Sequence, residues 1–135
     1  MYLALIPDEQ TTKALRAFAP ALPPNAHCTI IHSKAQLPAG LPLPAWPNKS
    51  TENVETYPEG VAVFGGKFKV SVLKLRVTFE LDFLRRFTEL LLRENFIPWS
   101  AEWAFSPHVT LGGADAQLVG EPPALLRFDR MEWRP

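Results

Sequence analysis

"AHCTII", residues 26 to 31, is an alternating, β-branched stretch whose one strongly titratable side chain, His27, stands two places before a hydroxyl, Thr29. The pattern returns far downstream in "PHVTLG", residues 107 to 112, with His108 and Thr110. On an extended strand successive side chains point to opposite faces, so residues i and i+2 share a face about 6.5–7 Å apart. His27 and Thr29 therefore look one way, and Cys28 and Ile30 look the other, where they can pack under a helix. In the second copy Val109 and Leu111 take the core side and His108 and Thr110 look outward. With three histidines and eight threonines in 135 residues, chance supplies about 0.2 such H-x-T matches per chain. One copy is uninformative, but two in strand-like context predict a meeting of both strands near the middle of the domain. Two imidazoles and two hydroxyls then converge on a space about as wide as one phosphate group.

Working outward from the two strands gives the order β-α-β, loop, β-β-α-β-β. Tyr2 to Ile6 reads as a first strand, and "PDEQTTKALRAFAP" places Thr11, Ala14, Leu15 and Phe18 at helical spacing, started by Pro7 and Asp8 and ended by Pro20. Residues 34–58 hold Pro38, Pro42, Pro44, Pro47 and Pro58 with no sustained period, which predicts a Pro-stiffened loop inside the domain. "VAVF", Gly65-Gly66 and "KFKVSVLKL" predict a tight hairpin, since that dipeptide tolerates positive φ. "LDFLRRFTELLLREN" predicts a second helix with Phe83, Leu84, Phe87, Leu90 and Leu91 along its core side. "WAFS", "HVTLGG" and "LLRFDRMEWR" are short strand candidates. Each H-x-T segment thus falls in a half with one helix and several strands, which predicts an α+β chain of two similar lobes.

A chain of 135 residues fits a single domain, here 1–135, and can bury roughly two-thirds of its unfolded surface. Its 47% apolar and 21% charged residues argue against disorder and fibres. Fourteen basic residues balance fourteen acidic ones, so the chain lacks the excess with which proteins grip long duplexes. Any nucleic-acid ligand is expected to be short. The lone Cys28 has no internal disulfide partner, which suits a reducing compartment. "MYLALIP" is too short and lacks the basic flank of a secretory or membrane signal. A cytoplasmic protein with no membrane partner is expected, in the host cytoplasm if the source is viral, and a monomer is favoured.

Phosphodiester cleavage needs a base for the attacking oxygen, an acid for the leaving oxygen, and donors for the nonbridging oxygens. His27, His108, Thr29 and Thr110 cover all three needs. One histidine can be neutral and the other protonated near neutral pH, because the free side chain titrates at about 6.5. The hydroxyls donate without titrating. No metal and no cofactor are called for, and the clusters of Cys, His and carboxylate ligands that zinc uses are absent from the sequence.

With "HCTI" and "HVTL", the chain resembles the two-histidine (2H) phosphoesterases, the LigT-like or 2′-5′ RNA ligase-like superfamily, whose paired H-x-[TS]-hydrophobic motifs these match. The likeness extends to "MYLALIPDEQTTKALRAF", "GVAVFGGKFKVSVLKL" and "SPHVTL", and so covers most of the chain. By that resemblance His27, Thr29, His108 and Thr110 form the catalytic quartet of a bilobal α+β fold, two antiparallel sheets with a helix in each lobe and a central groove. It also implies a metal-independent phosphodiesterase acting on 2′,3′-cyclic phosphates, 2′-5′ linkages or small cyclic nucleotides. Some phage members destroy a host's cyclic-nucleotide immune signals, and the small size is similar to theirs. Two features depart from the pattern: the chain is short, and the Pro-rich loop stands where longer members carry more regular structure.

The expected partner is therefore a small nucleotide or short oligonucleotide. Tyr2, Phe64, Trp103, Phe105 and Trp133 are the aromatic candidates for stacking on a base, with Phe105 and Tyr2 first, although most aromatics serve the core. Lys34, Lys67 and Lys69 could meet a second phosphate, and His32, outside any H-x-T context, reads as a surface residue or strand end. For hydrolysis by water, His108 is assigned as base and His27 as acid, a direction the sequence does not fix. The competing reading is a binding module of the same shape, or a sponge for cyclic-nucleotide signals, that holds a nucleotide or RNA end without cutting it.

Overall fold

The computed structural model describes residues 1–101 and 104–135. The elements are β1 (Tyr2–Pro7), α1 (Glu9–Phe18), β2 (Cys28–His32), β3 (Val54–Thr56), β4 (Pro58–Phe64), β5 (Val70–Leu75), α2 (Phe79–Glu94), β6 (His108–Gly113) and β7 (Leu126–Arg134). The fold is α+β, with the seven strands in one sheet of order β3-β7-β1-β2-β6-β5-β4 and every neighbouring pair antiparallel.

Two units of the same plan build this sheet. In each, a central strand leads into a helix and then into the strand that pairs beside it: β1-α1-β2 in the first half and β5-α2-β6 in the second. β7 flanks β1 and β4 flanks β5 on the outer sides. Between β2 and β6 the register is the single pair Cys28↔Val109. The two sheets expected from the sequence are thus joined into one, because two strands overlapping only at their N-terminal ends need just one backbone bridge to make a ladder continuous.

The core lies on one face of the sheet. Leu3 and Leu5 of β1, Cys28 and Ile30 of β2, Leu73 of β5, Val109 and Leu111 of β6 and Phe128 of β7 are all essentially inaccessible, and Leu15, Leu81, Leu84 and Leu92 of the helices close over them. Each such aliphatic side chain contributes about 1.5–3 kcal/mol through its removal from water. β1 and β2 shift register between Leu3 and Ala4. The bulge turns both Ile30 and Ile31 toward the core and leaves the Ile30 carbonyl outside the ladder. Arg85 of α2 donates to that carbonyl at 2.7 Å, which fixes the helix on β2.

The start of α1 follows the sequence reading, and α2 begins two residues before the expected Leu81. Asp8 accepts from the Thr11 N–H at 2.7 Å and caps α1, and Thr78 accepts from Leu81 to cap α2. The core side of α2 differs from expectation. Leu81, Leu84, Thr88 and Leu92 are buried; Phe83, Phe87 and Leu91 are only partly so, and Leu90 is exposed. Phe79, Phe83 and Phe87 instead form a ladder of rings along the flank. The helix is apolar round more than one stripe, and the rotation that buries Leu81, Leu84 and Leu92 also brings Arg85 to the Ile30 carbonyl. Thr88 is tolerated inside because its hydroxyl donates to the Leu84 carbonyl at 2.7 Å.

Three further expectations are corrected. The irregular stretch expected over 34–58 ends earlier, since Val54–Thr56 pairs with β7 and β4 begins at Pro58. Three residues give too little alternation to read, yet Val54 and Thr56 are wholly buried. The tight Gly65-Gly66 hairpin is a five-residue loop over Gly65–Lys69, with Phe64 opposite Val70. Gly65 has φ +107°, and a Cβ there would stand 2.3 Å from the Phe68 carbonyl oxygen. Finally, the "WAFS" strand is absent over residues 104–106. Pairing resumes at Pro107, whose carbonyl accepts from the Leu75 N–H at 2.9 Å, because proline can accept but has no N–H to offer a ladder. Among the described residues, no helix is long and apolar enough to cross a membrane.

Candidate functional site

The bridging pair Cys28↔Val109 lies between the histidine and the threonine of both motifs. Cys28 and Val109 point into the core, where both are wholly buried, so the flanking residues project from the opposite face. Antiparallel continuation of that pair sets His27 beside Thr110 and Thr29 beside His108. The quartet is therefore crossed, each imidazole neighbouring the hydroxyl of the other motif. All four side chains are intermediate in exposure. Burial pushes the Cys28 thiol up to about 12, against a smaller opposing effect of the His108 backbone N–H. That thiol is packing material with no thiolate to offer.

Both rings are held the same way. His27 Nδ1 lies 2.9 Å from the Asn25 carbonyl oxygen and His108 Nδ1 lies 2.9 Å from that of Ser106, each two residues upstream. A carbonyl can only accept, so Nδ1 carries the proton in both rings, and Nε2 is the atom left for chemistry. Among the described residues, neither threonine hydroxyl is used in a side-chain hydrogen bond of its own. Each ring also has an aromatic neighbour. Tyr2 lies nearly parallel to His27, with centroids 5.2 Å apart and planes at 28°, and Phe64 meets His108 at 4.8 Å and 73°.

The surroundings then diverge. Arg134 of β7 brings Nη1 to 3.2 Å from the Asn25 carbonyl and 3.2 Å from His27 Nδ1. A guanidinium cannot accept, and the shorter contact commits the His27 Nδ1 proton to the carbonyl, so Arg134 and His27 share that acceptor as two donors. The His27 pKa is lowered. Burial is the largest cause, offset in part by the Asn25 carbonyl, and the positive charge of Arg134 and that of His108 push it further down, while Glu132 opposes them. Glu132 accepts from Arg134 Nε at 2.6 Å and aims the guanidinium. On the other side Lys74 of β5 stands opposite His108.

Of the aromatic candidates, Tyr2 and Phe64 are brought to the quartet. Phe105 lines the cavity along β2, but the Arg85 guanidinium sits 5.4 Å from its ring centre and its body packs on the core. Trp133 is on the opposite face: it pairs with Leu3, packs on the core, and donates its indole N–H to the Pro42 carbonyl at 2.9 Å. Trp103 lies outside the described residues. Sequence reading missed Arg134, Lys74, Asn25 and Ser106. The two carbonyl anchors carry a signal that could have been read, namely a turn residue two places before each histidine. Arg134 and Lys74 carry none, since strand pairing alone brings them in.

Two cavities open beside His108. One, of about 880 Å³, is walled by Val63, Phe64, Gly65, Gly66, Ala104 and Ser106. The other, of about 350 Å³, runs along β2 past Thr29, His32 and Lys34. Among the described residues, no three His, Cys, Asp or Glu side chains cluster as a metal ion would require. No protein-family model matches the chain, and no curated protein matches it either.

Proposed function

We propose that the chain is a 2H-type phosphodiesterase, two lobes about a central groove, that hydrolyses a small nucleotide phosphodiester without a metal. The observation that carries this reading is the matched anchoring of His27 and His108, each with Nδ1 committed to a carbonyl two residues upstream at 2.9 Å and Nε2 left over, on either side of one backbone bridge. A core histidine needs no free second nitrogen, and two such rings from distant parts of the chain serve acid–base work on one phosphorus.

The lowered His27 pKa favours the opposite direction to the assignment made from sequence. His27 is neutral near pH 7 and acts as the base. Its Nε2 takes the proton of the attacking water as the new P–O bond forms, and His108 Nε2–H protonates the departing ester oxygen as the old bond breaks. The protons exchange with solvent before the next turnover. Thr29 and Thr110 donate to the nonbridging oxygens, where charge builds up. Acid and base each contribute about 10²–10⁴-fold.

A chelator-containing assay against 2′,3′-cyclic mononucleotides, 2′-5′ dinucleotides and cyclic di- and trinucleotides tests the reading. Turnover with a bell-shaped pH profile, lost in both His→Ala variants, is expected. Phosphorus NMR in which the ligand signal shifts but the ester stays intact would favour the binding module instead.

A further inference from the structure

We infer that the substrate carries a nucleoside on each side of the scissile phosphate, a dinucleotide unit or longer, linear or cyclic, and is not a 2′,3′-cyclic mononucleotide. This rests on the phosphodiesterase reading and goes on to say what fills the groove. His108 is shared by both cavities, together with Ala104 and Ser106. A phosphate at His108 therefore has two compartments next to it, and only the smaller one carries lysine and arginine side chains. The larger, about 880 Å³, is apolar, with Phe64 and Val63 as walls and Gly65 and Gly66 presenting bare backbone. It lies within the size range of small-ligand sites and offers an aromatic ring to a base.

The smaller compartment also has apolar walls, from Ile30, Ile31 and Phe105, but it adds cations and hydroxyls. Its lining includes Thr29, His32, Lys34, Arg85 and Ser100, and it runs on into a third hollow, of about 370 Å³, which shares Lys34 and Ser100 and reaches Trp99. Arg85 is committed to Glu89 at 3.0 Å and to the Ile30 carbonyl. Lys34 is exposed, and the His32 ring, itself exposed, meets the Ser100 hydroxyl at 3.5 Å. These two are the groups placed to meet a second phosphate, the next one along the ligand chain. A cyclic mononucleotide has one base and one phosphate and leaves one compartment empty. A base stacked by Phe64, the scissile phosphate at the histidines, and a second nucleotide running along β2 toward Lys34 occupy both.

The experiment compares kcat/KM for 2′-5′- and 3′-5′-linked diadenosine monophosphate, each with and without a terminal phosphate, and for a cyclic dinucleotide, against 2′,3′-cyclic AMP. At least one two-base substrate should exceed the cyclic mononucleotide by more than about 10-fold. Phe64→Ala should reduce that preference by about 5- to 150-fold, the effect of one lost stacking contact. Lys34→Ala should reduce the advantage conferred by the terminal phosphate. A cyclic mononucleotide turned over as well as every two-base substrate, or preferences untouched by both substitutions, overturns the inference. If nothing is hydrolysed, the catalytic reading fails separately, and calorimetry decides this one. A dinucleotide bound at least about 10-fold more tightly than the mononucleotide, and weakened by Phe64→Ala, upholds the two-nucleoside ligand; equal or absent binding rejects it.

Discussion

The halves that meet at the seam carry the same motif, the same i−2 carbonyl anchor and an aromatic ring beside each imidazole, yet they present their histidines differently. His27 is covered by Tyr2, approached by Arg134 and held below the ordinary histidine pKa. His108 borders both cavities. A repeated backbone device positions a reactive atom, but the side chains arriving from neighbouring strands decide its protonation and its access. On the phosphodiesterase reading, identical motifs then supply opposite halves of one acid–base pair.

The sharpest break of the comparison is removal of either ring. His27→Ala and His108→Ala should each lower kcat by about 10²–10⁴-fold, with circular dichroism and thermal midpoint near those of the unaltered chain, since neither ring is a core residue. The double variant should lose much less than the product of the two single losses, because acid and base act as a unit. A single variant that keeps nearly full activity would end the two-histidine mechanism. Next come the crossed hydroxyls. Thr29→Val and Thr110→Val should each cost about 10- to 150-fold in kcat, matching the roughly 1.5–3 kcal/mol of a hydrogen bond to a charged group.

Arg134 sharpens the contrast through pH. The acidic limb of kcat/KM reports protonation of the base and should lie below the ordinary histidine range. Arg134→Met removes a positive neighbour of His27, so the limb should move to higher pH; the same change at Lys74, which faces His108, should leave it in place. An unmoved limb in Arg134→Met would return the base role to His108. The smallest effect is on stability. His27 has a lower pKa folded than unfolded, so between those two values the unfolded chain binds more protons. Stability is then full above the ordinary histidine pKa and falls as pH drops through the window beneath it. Urea midpoints measured from pH 7.5 down to pH 5 should fall less in His27→Gln than in the unaltered chain.

Much of this was legible in the residues. The period-2 strands, the Asp8 cap of α1 and the outward-facing His-x-Thr pairs are local consequences of backbone geometry, which neighbours in sequence dictate. The core side of α2 was not legible, because several apolar stripes satisfy a helical period and only packing on the sheet, with Arg85 bonded to the Ile30 carbonyl, shows which one is buried. β3 was too short to show a pattern. Trp133 looked available for stacking until the β1–β7 register turned it to the core face.

The sequence by itself determined the alternation that separates Cys28 and Val109 from His27, Thr29, His108 and Thr110, since that depends only on residues one or two places apart. Tertiary structure alone decided that the two motifs cross at one bridge, that Arg134 comes to His27, and that His108 opens on two cavities. Those outcomes depend on which strands pair and in what register. That choice is made by the burial of a shared core, to which every strand contributes and which no short stretch of sequence encodes.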